Sequence, residues 1–175
     1  HDHGHTHDHG HTHDHGHRHG HAHSHDHAAR VIKLEQDILG RNALGAAKNR
    51  GYFQGRKLLA LNLVSSPGSG KTTLLERTIR ALKSRLKFAV IQGDQATDHD
   101  AERVRRAGAS AVQLNTGTVC HLDAAMVERA LAELDPAMGS VLAIENVGNL
   151  VCPALFDLGE QERVVVASYA EGDDK

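Results

Sequence analysis

Apolar side chains are almost absent from residues 1–27, and beyond them they fall into two patterns that alternate along the chain. One is the short unbroken run: Leu58-Leu59-Ala60-Leu61-Asn62-Leu63-Val64, Phe88-Ala89-Val90-Ile91, Ala111 to Leu114, Val141-Leu142-Ala143-Ile144 and Val164-Val165-Val166-Ala167. Continuous apolar character over so few residues predicts strands buried on both faces, as in a parallel sheet. The other is helical spacing. Leu74, Leu75, Thr78, Ile79 and Leu82 predict a helix after the first strand, Asp98 to Ala107 a second, and His121 to Leu134 a third whose Leu122, Met126 and Leu131 form part of the buried side. Between Ala28 and Phe53, the spacing of Val31, Leu34, Ile38 and Leu39 predicts one amphipathic helix, weakened by Gly40 and Gly45. Alternating strands and helices imply an α/β fold with a mostly parallel sheet, helices on both faces, and the ligand at the carboxyl ends of the strands. Three segments result: the tract 1–27, an amphipathic helix or linker 28–55, and the α/β domain 56–175.

The first strand runs directly into Ser65-Ser66-Pro67-Gly68-Ser69-Gly70-Lys71-Thr72-Thr73. This fits the phosphate-loop pattern G-x-x-x-x-G-K followed by Ser or Thr, except that Ser65 stands where the generic pattern has glycine. Backbone N–H groups of Gly68, Ser69, Gly70, Lys71, Thr72 and Thr73 would cradle phosphate, with glycines where a Cβ would obstruct the turn. Lys71 would neutralise the β- and γ-phosphates, and the Thr72 hydroxyl would ligate Mg²⁺. A strand before the loop and a helix after it set this apart from a chance Gly/Ser/Pro turn. Two acids complete the catalytic set. Asp94 ends the second strand, where a carboxylate reaches Mg²⁺ directly or through water, although an ordinary Gly-Asp turn also explains it. Glu145 ends the fourth strand, where a Walker-B-type acid sits near the attacking water or the outer shell of the metal, and Gly148 lets its loop approach a γ-phosphate. The fold is therefore read as a P-loop NTPase core.

Composition narrows the picture. Taking four acids and one base of the tract from totals of 22 and 20 leaves 18 and 19, a net charge of +1 that gives no reason to expect nucleic acid. No stretch approaches the ~18 apolar residues of a membrane span. The only cysteines, Cys120 and Cys152, form neither a C-x-x-C motif nor a small disulfide framework, which reads as a reducing, cytoplasmic compartment. The chain begins at His1 and stops soon after its last strand-like run, so a fragment at both ends is expected.

Every odd position of the tract is histidine: His1, His3, His5, His7, His9, His11, His13, His15, His17, His19, His21, His23, His25 and His27. Low hydrophobicity and frequent glycine predict a disordered tail. Neutral imidazole suits nickel, zinc, copper and cobalt ions, and at three or four ligands each, fourteen rings could hold about four ions. A purification tag and a solubilising tail are the competing readings. A second constellation joins Cys120 and His121, side by side in a loop opening a helix, to Cys152 just beyond the Glu145 segment. Two sulfurs and one nitrogen make a partial site for nickel or zinc that a second copy could complete. A small buried thiol and a hydrogen-bonded histidine are the ordinary alternatives, and no acyl-transfer signature surrounds the pair.

Taken together, Val64 through Thr73, Gly93-Asp94-Gln95, Asn115-Thr116-Gly117 with Cys120-His121-Leu122-Asp123-Ala124, and Glu145-Asn146-Val147-Gly148-Asn149-Leu150-Val151-Cys152-Pro153 closely resemble the HypB-type GTPases of nickel-iron hydrogenase maturation. The resemblance extends from Val31 to Lys175, and Ser65 is the family's own version of the loop. It implies a SIMIBI-type GTPase core using GTP and Mg²⁺, and delivery of Ni²⁺ to the hydrogenase large-subunit precursor together with a HypA-type nickel-binding partner. It further implies a nucleotide- or metal-dependent homodimer, nickel or zinc at Cys120, His121 and Cys152 near the dimer interface, and nickel sequestration by the histidine-rich region. The guanine-reading Asn-Lys-x-Asp element is absent up to Lys175, as is the N-terminal Cys-x-x-Cys-type motif of some members.

A urease accessory GTPase, the nearest rival, characteristically carries Cys-Pro-His and Glu-Ser-Gly-Gly where this chain has Val119-Cys120-His121 and Glu145-Asn146-Val147-Gly148. A nickel or zinc storage protein with secondary nucleotide binding is the alternative of another class. A small-molecule kinase would need an acceptor pocket and an arginine-rich lid, neither of which is evident. Since binding needs the unprotonated ring, nickel capacity of the tract is expected to fall as pH drops through about 6.5. Equilibrium dialysis showing full capacity at pH 5 would contradict a metal role for the tract.

Overall fold

The computed structural model describes the backbone of residues 22–94, 99–117 and 119–169 and the side chains of residues 29–93, 100–117 and 119–169. The histidines up to His21, the side chains of His23, His25 and His27, and the side chain of Asp94 thus lie outside the described residues. The chain divides into two units, residues 1–34 and 35–175. In the first unit the described residues are helical, the beginning of α1 (Ala22–Gly55), with Val31, Ile32 and Leu34 exposed. The helix starts ahead of the Ala28 expected from the spacing.

The second unit holds the sheet. Its strands are β1 (Leu59–Val64), β2 (Phe88–Asp94), β3 (Ser110–Asn115), β4 (Val141–Glu145) and β5 (Glu162–Val165), and its further helices are α2 (Lys71–Leu82), α3 (His99–Ala107), α4 (Ala124–Leu134) and the short α5 (Cys152–Leu155). The strand order is β3-β2-β4-β1-β5 and every pairing is parallel. Because side chains alternate across a strand, each apolar run supplies both faces. Ala89, Ile91, Leu142 and Ile144 meet Phe53, Leu122, Val127 and Leu131 on one side, whereas Phe88, Val90 and Ala143 meet Leu75, Ile79 and Val104 on the other. The last strand forms at Glu162–Val165, earlier than the run at 164–167 indicated, because it takes its register from β1, with Leu61 beside Glu162.

Two helices depart from their periodicity in an instructive way. Within the second unit, α1 buries Ala46, Asn49 and Phe53 instead of Ile38 and Leu39, which stay exposed. Gly45 lets the helix approach closely, since a Cβ there would lie 3.0 Å from Ala124 Cβ. Asn49 Nδ2 donates to the carbonyls of Ala124 and Leu158 at 2.9 and 3.1 Å, locking the contact. Helix α4 begins at Ala124, not His121, because Asp123 is its N-cap: the carboxylate accepts from Met126 N at 2.7 Å. Cys120, His121 and Leu122 are therefore left in the preceding loop.

Gly159 has φ +91°, and a Cβ there would lie 2.5 Å from the Ala46 carbonyl oxygen. The combined left-handed strain and overlap predict that Gly159→Ala destabilises the domain by ~2–4 kcal/mol, measurable by urea denaturation.

Candidate functional site

The phosphate loop leaves β1 and closes at Gly70, the N-cap of α2, with Gly68 and Gly70 at φ 76° and 90°. Both conformations favour glycine, which the motif supplies. The loop is held by its own hydroxyls: Ser69 Oγ donates to Ser66 O at 2.6 Å, and Ser65 Oγ to the same carbonyl at 2.7 Å. Lys71, 8% exposed, donates from Nζ to the fully buried Ser65 Oγ. Serine at this first position is thus an acceptor for the loop lysine, which a glycine could not be. A cavity of about 340 Å³ opens over Gly68, Lys71 and Thr72, bounded by Gln92, Arg103 and Glu145.

Glu145 points into this cavity's floor. The Thr72 hydroxyl donates to its Oε1 at 2.6 Å and Gln92 Nε2 to its Oε2 at 2.8 Å. Burial pushes the Glu145 carboxyl above the usual carboxylate range, while hydrogen bonds from Thr72 and Gln92 and the charge of Lys71 oppose the rise. Asp100, from the first turn of α3, brings a second carboxylate 3.4 Å from Thr72 Oγ1. A hydroxyl between two carboxylates is the oxygen-rich donor set that Mg²⁺ takes. Gln92 Oε1, buried beside the cavity without a hydrogen-bond partner among the described residues, is an acceptor suited to a metal-bound water. The residues present therefore fit Mg²⁺.

Asp100 and Arg103 carry no motif of their own. Only their place six and nine residues beyond Asp94 at the strand end could have pointed to them. Arg103 donates to Thr73 Oγ1 at 3.2 Å, to Glu76 at 2.9 Å and to Asp100 at 3.2 Å, placing a guanidinium at the cavity mouth. The bond to Glu76, and then that to Asp100, raises its pKa against the cost of desolvation.

The sequence-read donors Cys120, His121 and Cys152 do converge, with their ligand atoms all within 4.8 Å of one another. Cys120 Sγ and Cys152 Sγ share a hydrogen bond at 2.8 Å, and Cys120 Sγ lies 3.9 Å from His121 Nδ1. The His121 ring stacks on Phe156, centroids 3.8 Å apart. Burial lowers its pKa, with Asp123 opposing, which favours the neutral form that ligates metal. The hydrogen bond shared with Cys120 raises Cys152 above the usual thiol range. Two half-buried sulfurs and one nitrogen leave a thiophilic ion short of the four ligands it commonly takes.

A carboxyl whose folded pKa lies above its unfolded value costs stability when ionised, a cost present at high pH and relieved as pH falls toward the ordinary carboxyl range. Glu145→Gln is accordingly expected to raise the thermal midpoint without nucleotide, by more at pH 8 than at pH 5. The same change should weaken Mg²⁺-dependent nucleotide binding ~10–100-fold, as loss of a metal's carboxylate partner does. Calorimetric melting and nucleotide titration check the two halves separately.

A family profile described as CobW/HypB/UreG, nucleotide-binding domain, matches residues 59–168. The chain is 60% identical over 147 residues to the hydrogenase maturation factor HypB of Azotobacter vinelandii, covering 84% of this chain and 48% of that protein. To the factor of the same name from Escherichia coli strain K12 it is 54% identical over 146 residues, covering 83% and 50%. Among solved structures, HypB from Helicobacter pylori in complex with nickel superposes with TM-score 0.70 at 45% identity, over 77% of this chain and 64% of that one. HypB from Archaeoglobus fulgidus gives 0.71 at 44%, over 77% and 66%. The chain spans about half the length of the curated relatives it matches. With a phosphate loop and its Glu145 partner on one parallel sheet and a Cys/His cluster in the segments beyond β3 and β4, the chain belongs to the CobW/HypB/UreG family of nucleotide-binding domains and is of the HypB type.

Proposed function

We propose that this chain is the nucleotide- and metal-binding part of a GTP-hydrolysing nickel metallochaperone that delivers nickel during nickel-iron hydrogenase maturation. The observation that carries the reading is the shared end of β4. Glu145 closes the phosphate site there, and the loop leaving it leads to Cys152 of the Cys/His cluster. A phosphate loop alone would suit a kinase, and the donors alone would suit a metal store. Relatives named for hydrogenase maturation support the destination, and a HypB structure in complex with nickel supports the cargo. Guanine as the base and the cytoplasm as the compartment rest on the same kinship. No described helix is long and apolar enough to cross a membrane.

In the chemistry proposed, the amides of residues 68–73 and the Lys71 ammonium hold the β- and γ-phosphates. Thr72, with Glu145 and Asp100 around it and Asp94 at the adjacent strand end, would hold Mg²⁺, which when bound supplies positive charge against the phosphates. Glu145 orients the Thr72 hydroxyl and lies near the path of the attacking water. Arg103 adds a positive charge at the mouth. Nickel is cargo: Cys120, His121 and Cys152 would ligate it, zinc being a competitor of similar preference, and a second copy of the chain would complete the coordination. The histidine tract would store nickel. A HypA-type partner and the hydrogenase large-subunit precursor are the proposed donor or acceptor proteins.

Nucleotide state then times release. Nickel affinity of the cysteine site, read in the full-length chain by the thiolate-to-nickel charge-transfer band that imidazoles do not produce, should differ at least ~5-fold between GDP and a non-hydrolysable GTP analogue. Cys120→Ser combined with Cys152→Ser should abolish the band. Equal affinities in both states would remove the timing function, and an unchanged band in the variant would remove the assignment of the site.

A further inference from the structure

The phosphate site and the Cys/His cluster meet at one buried side chain. Asn146, 1% exposed, follows Glu145 at the end of β4 and borders the phosphate cavity. Its Oδ1 accepts from Leu122 N at 3.1 Å and from Val147 N at 3.0 Å, and its Nδ2 donates to Asn62 Oδ1 at 3.2 Å. Its own N–H donates to Leu63 O at 3.0 Å. Asn62 is fully buried on β1 and itself donates to Glu160 Oε1 at 3.0 Å. One amide thus ties the strand that feeds the phosphate loop to the residue immediately after Cys120-His121.

The segment after Asn146 makes the second tie. Gly148 lies so close to the phosphate loop that a Cβ would sit 2.9 Å from Pro67 Cα. Asn149 forms an isolated antiparallel bridge with Ser65, the partner of Lys71, and its Oδ1 accepts from Val151 N at 2.9 Å, next to Cys152. Both sulfur-bearing segments are therefore anchored to β1 and the phosphate loop, one through the Asn146 side chain and the other through 148–151. The Leu122 side chain is also packed against β2, where a Cβ at Gly93 would lie 2.8 Å from Leu122 Cγ. Packed elements of this kind change between discrete arrangements instead of deforming gradually.

We propose that Asn146 is the positioning residue that couples nucleotide state to the geometry of the Cys120/His121/Cys152 cluster. It acts by holding the Leu122 amide to the end of β4, and it need touch neither phosphate nor metal to do so. A movement of the 146–149 loop around the γ-phosphate changes the Asn146–Leu122 bond and so moves Cys120 and His121 relative to Cys152. The inference rests on the metallochaperone reading above and adds the residue through which its timing works.

The test compares the full-length chain with Asn146→Ala and Asn146→Asp. Nickel is titrated through the thiolate charge-transfer band in GDP and in a non-hydrolysable GTP analogue. The parent should show the ~5-fold or greater ratio of affinities, and Asn146→Ala should bring it to within about twofold of one. Asn146→Asp, which keeps an acceptor oxygen facing Leu122 and Val147, should restore the ratio at least to half the parent's on a logarithmic scale. A purely structural role would lower stability or affinity in both states alike without moving the ratio. In the unaltered chain, where folding of a variant is not at issue, hydrogen exchange of the Leu122 amide should change at least tenfold between the two nucleotide states. A parent-like ratio in Asn146→Ala, or identical Leu122 exchange in both states, overturns the role of Asn146. A parent that itself shows no ratio overturns the timing function as well, so the two failures are told apart in the parent titration.

Discussion

The parallel register that sets Leu63 of β1 beside Glu145 of β4 is the constraint from which the rest of the site follows. Strands paired this way lie about 4.8 Å apart. The loop that leaves β1 and the acid that ends β4 must therefore share one edge of the sheet. From β2 on the other side of β4, Gln92 is in register with Glu145 and supplies the second donor to its carboxylate. Three strands thus bring a lysine loop, a carboxylate and an amide together before any loop conformation is specified.

That convergence is costly unless its members satisfy one another. Ser65, Asn62, Gln92, Lys71, Glu145 and Asn146 are all buried, and a buried polar group without a partner costs about 1–3 kcal/mol, more if charged. Here Ser65 takes Lys71, Thr72 and Gln92 take Glu145, and Asn62 takes Asn146. At Glu145 burial raises the carboxyl's pKa against the hydrogen bonds from Thr72 and Gln92 and the charge of Lys71, so the pairing offsets desolvation only in part. A carboxylate left in this condition would gain from an arriving cation what burial has withheld, which fits the Mg²⁺ site proposed for it.

The strands and the phosphate loop were legible because each is specified within a few neighbouring residues. A buried parallel strand is a continuous apolar run, and the loop needs glycines at positive φ next to Lys and Thr. The Cys/His cluster was legible only as three donors of matching softness. Their approach to within 4.8 Å depends on the β4–α5 loop returning toward the loop before α4, which no local pattern encodes. Helix α1 shows the opposite failure. Val31, Leu34, Ile38 and Leu39 have amphipathic spacing yet stay exposed, while burial falls on Ala46, Asn49 and Phe53, where Gly45 admits Ala124 and Asn49 finds two carbonyls. Asp100 and Arg103 were invisible for a further reason: they act on Thr72 and Thr73 from another helix, and acidic and basic residues on an exposed helix ordinarily read as solvated surface.

Ser65 illustrates how a departure from a motif can be the informative position. The generic loop has glycine there, so the serine reads first as a weakened match. In the fold its hydroxyl accepts from Lys71 and donates to Ser66 O, and its backbone bridges to Asn149. A neutral acceptor fixes the ammonium without cancelling its charge, which a carboxylate at the same point would do, so the attraction between Lys71 and a phosphate is preserved. The same residue then touches both halves of the proposed device: its side chain orients the cation that meets the nucleotide, and its backbone holds the segment that leads to Cys152. A glycine at position 65 could keep the second contact but not the first, and the loop would cradle phosphate with a lysine no longer aimed from below.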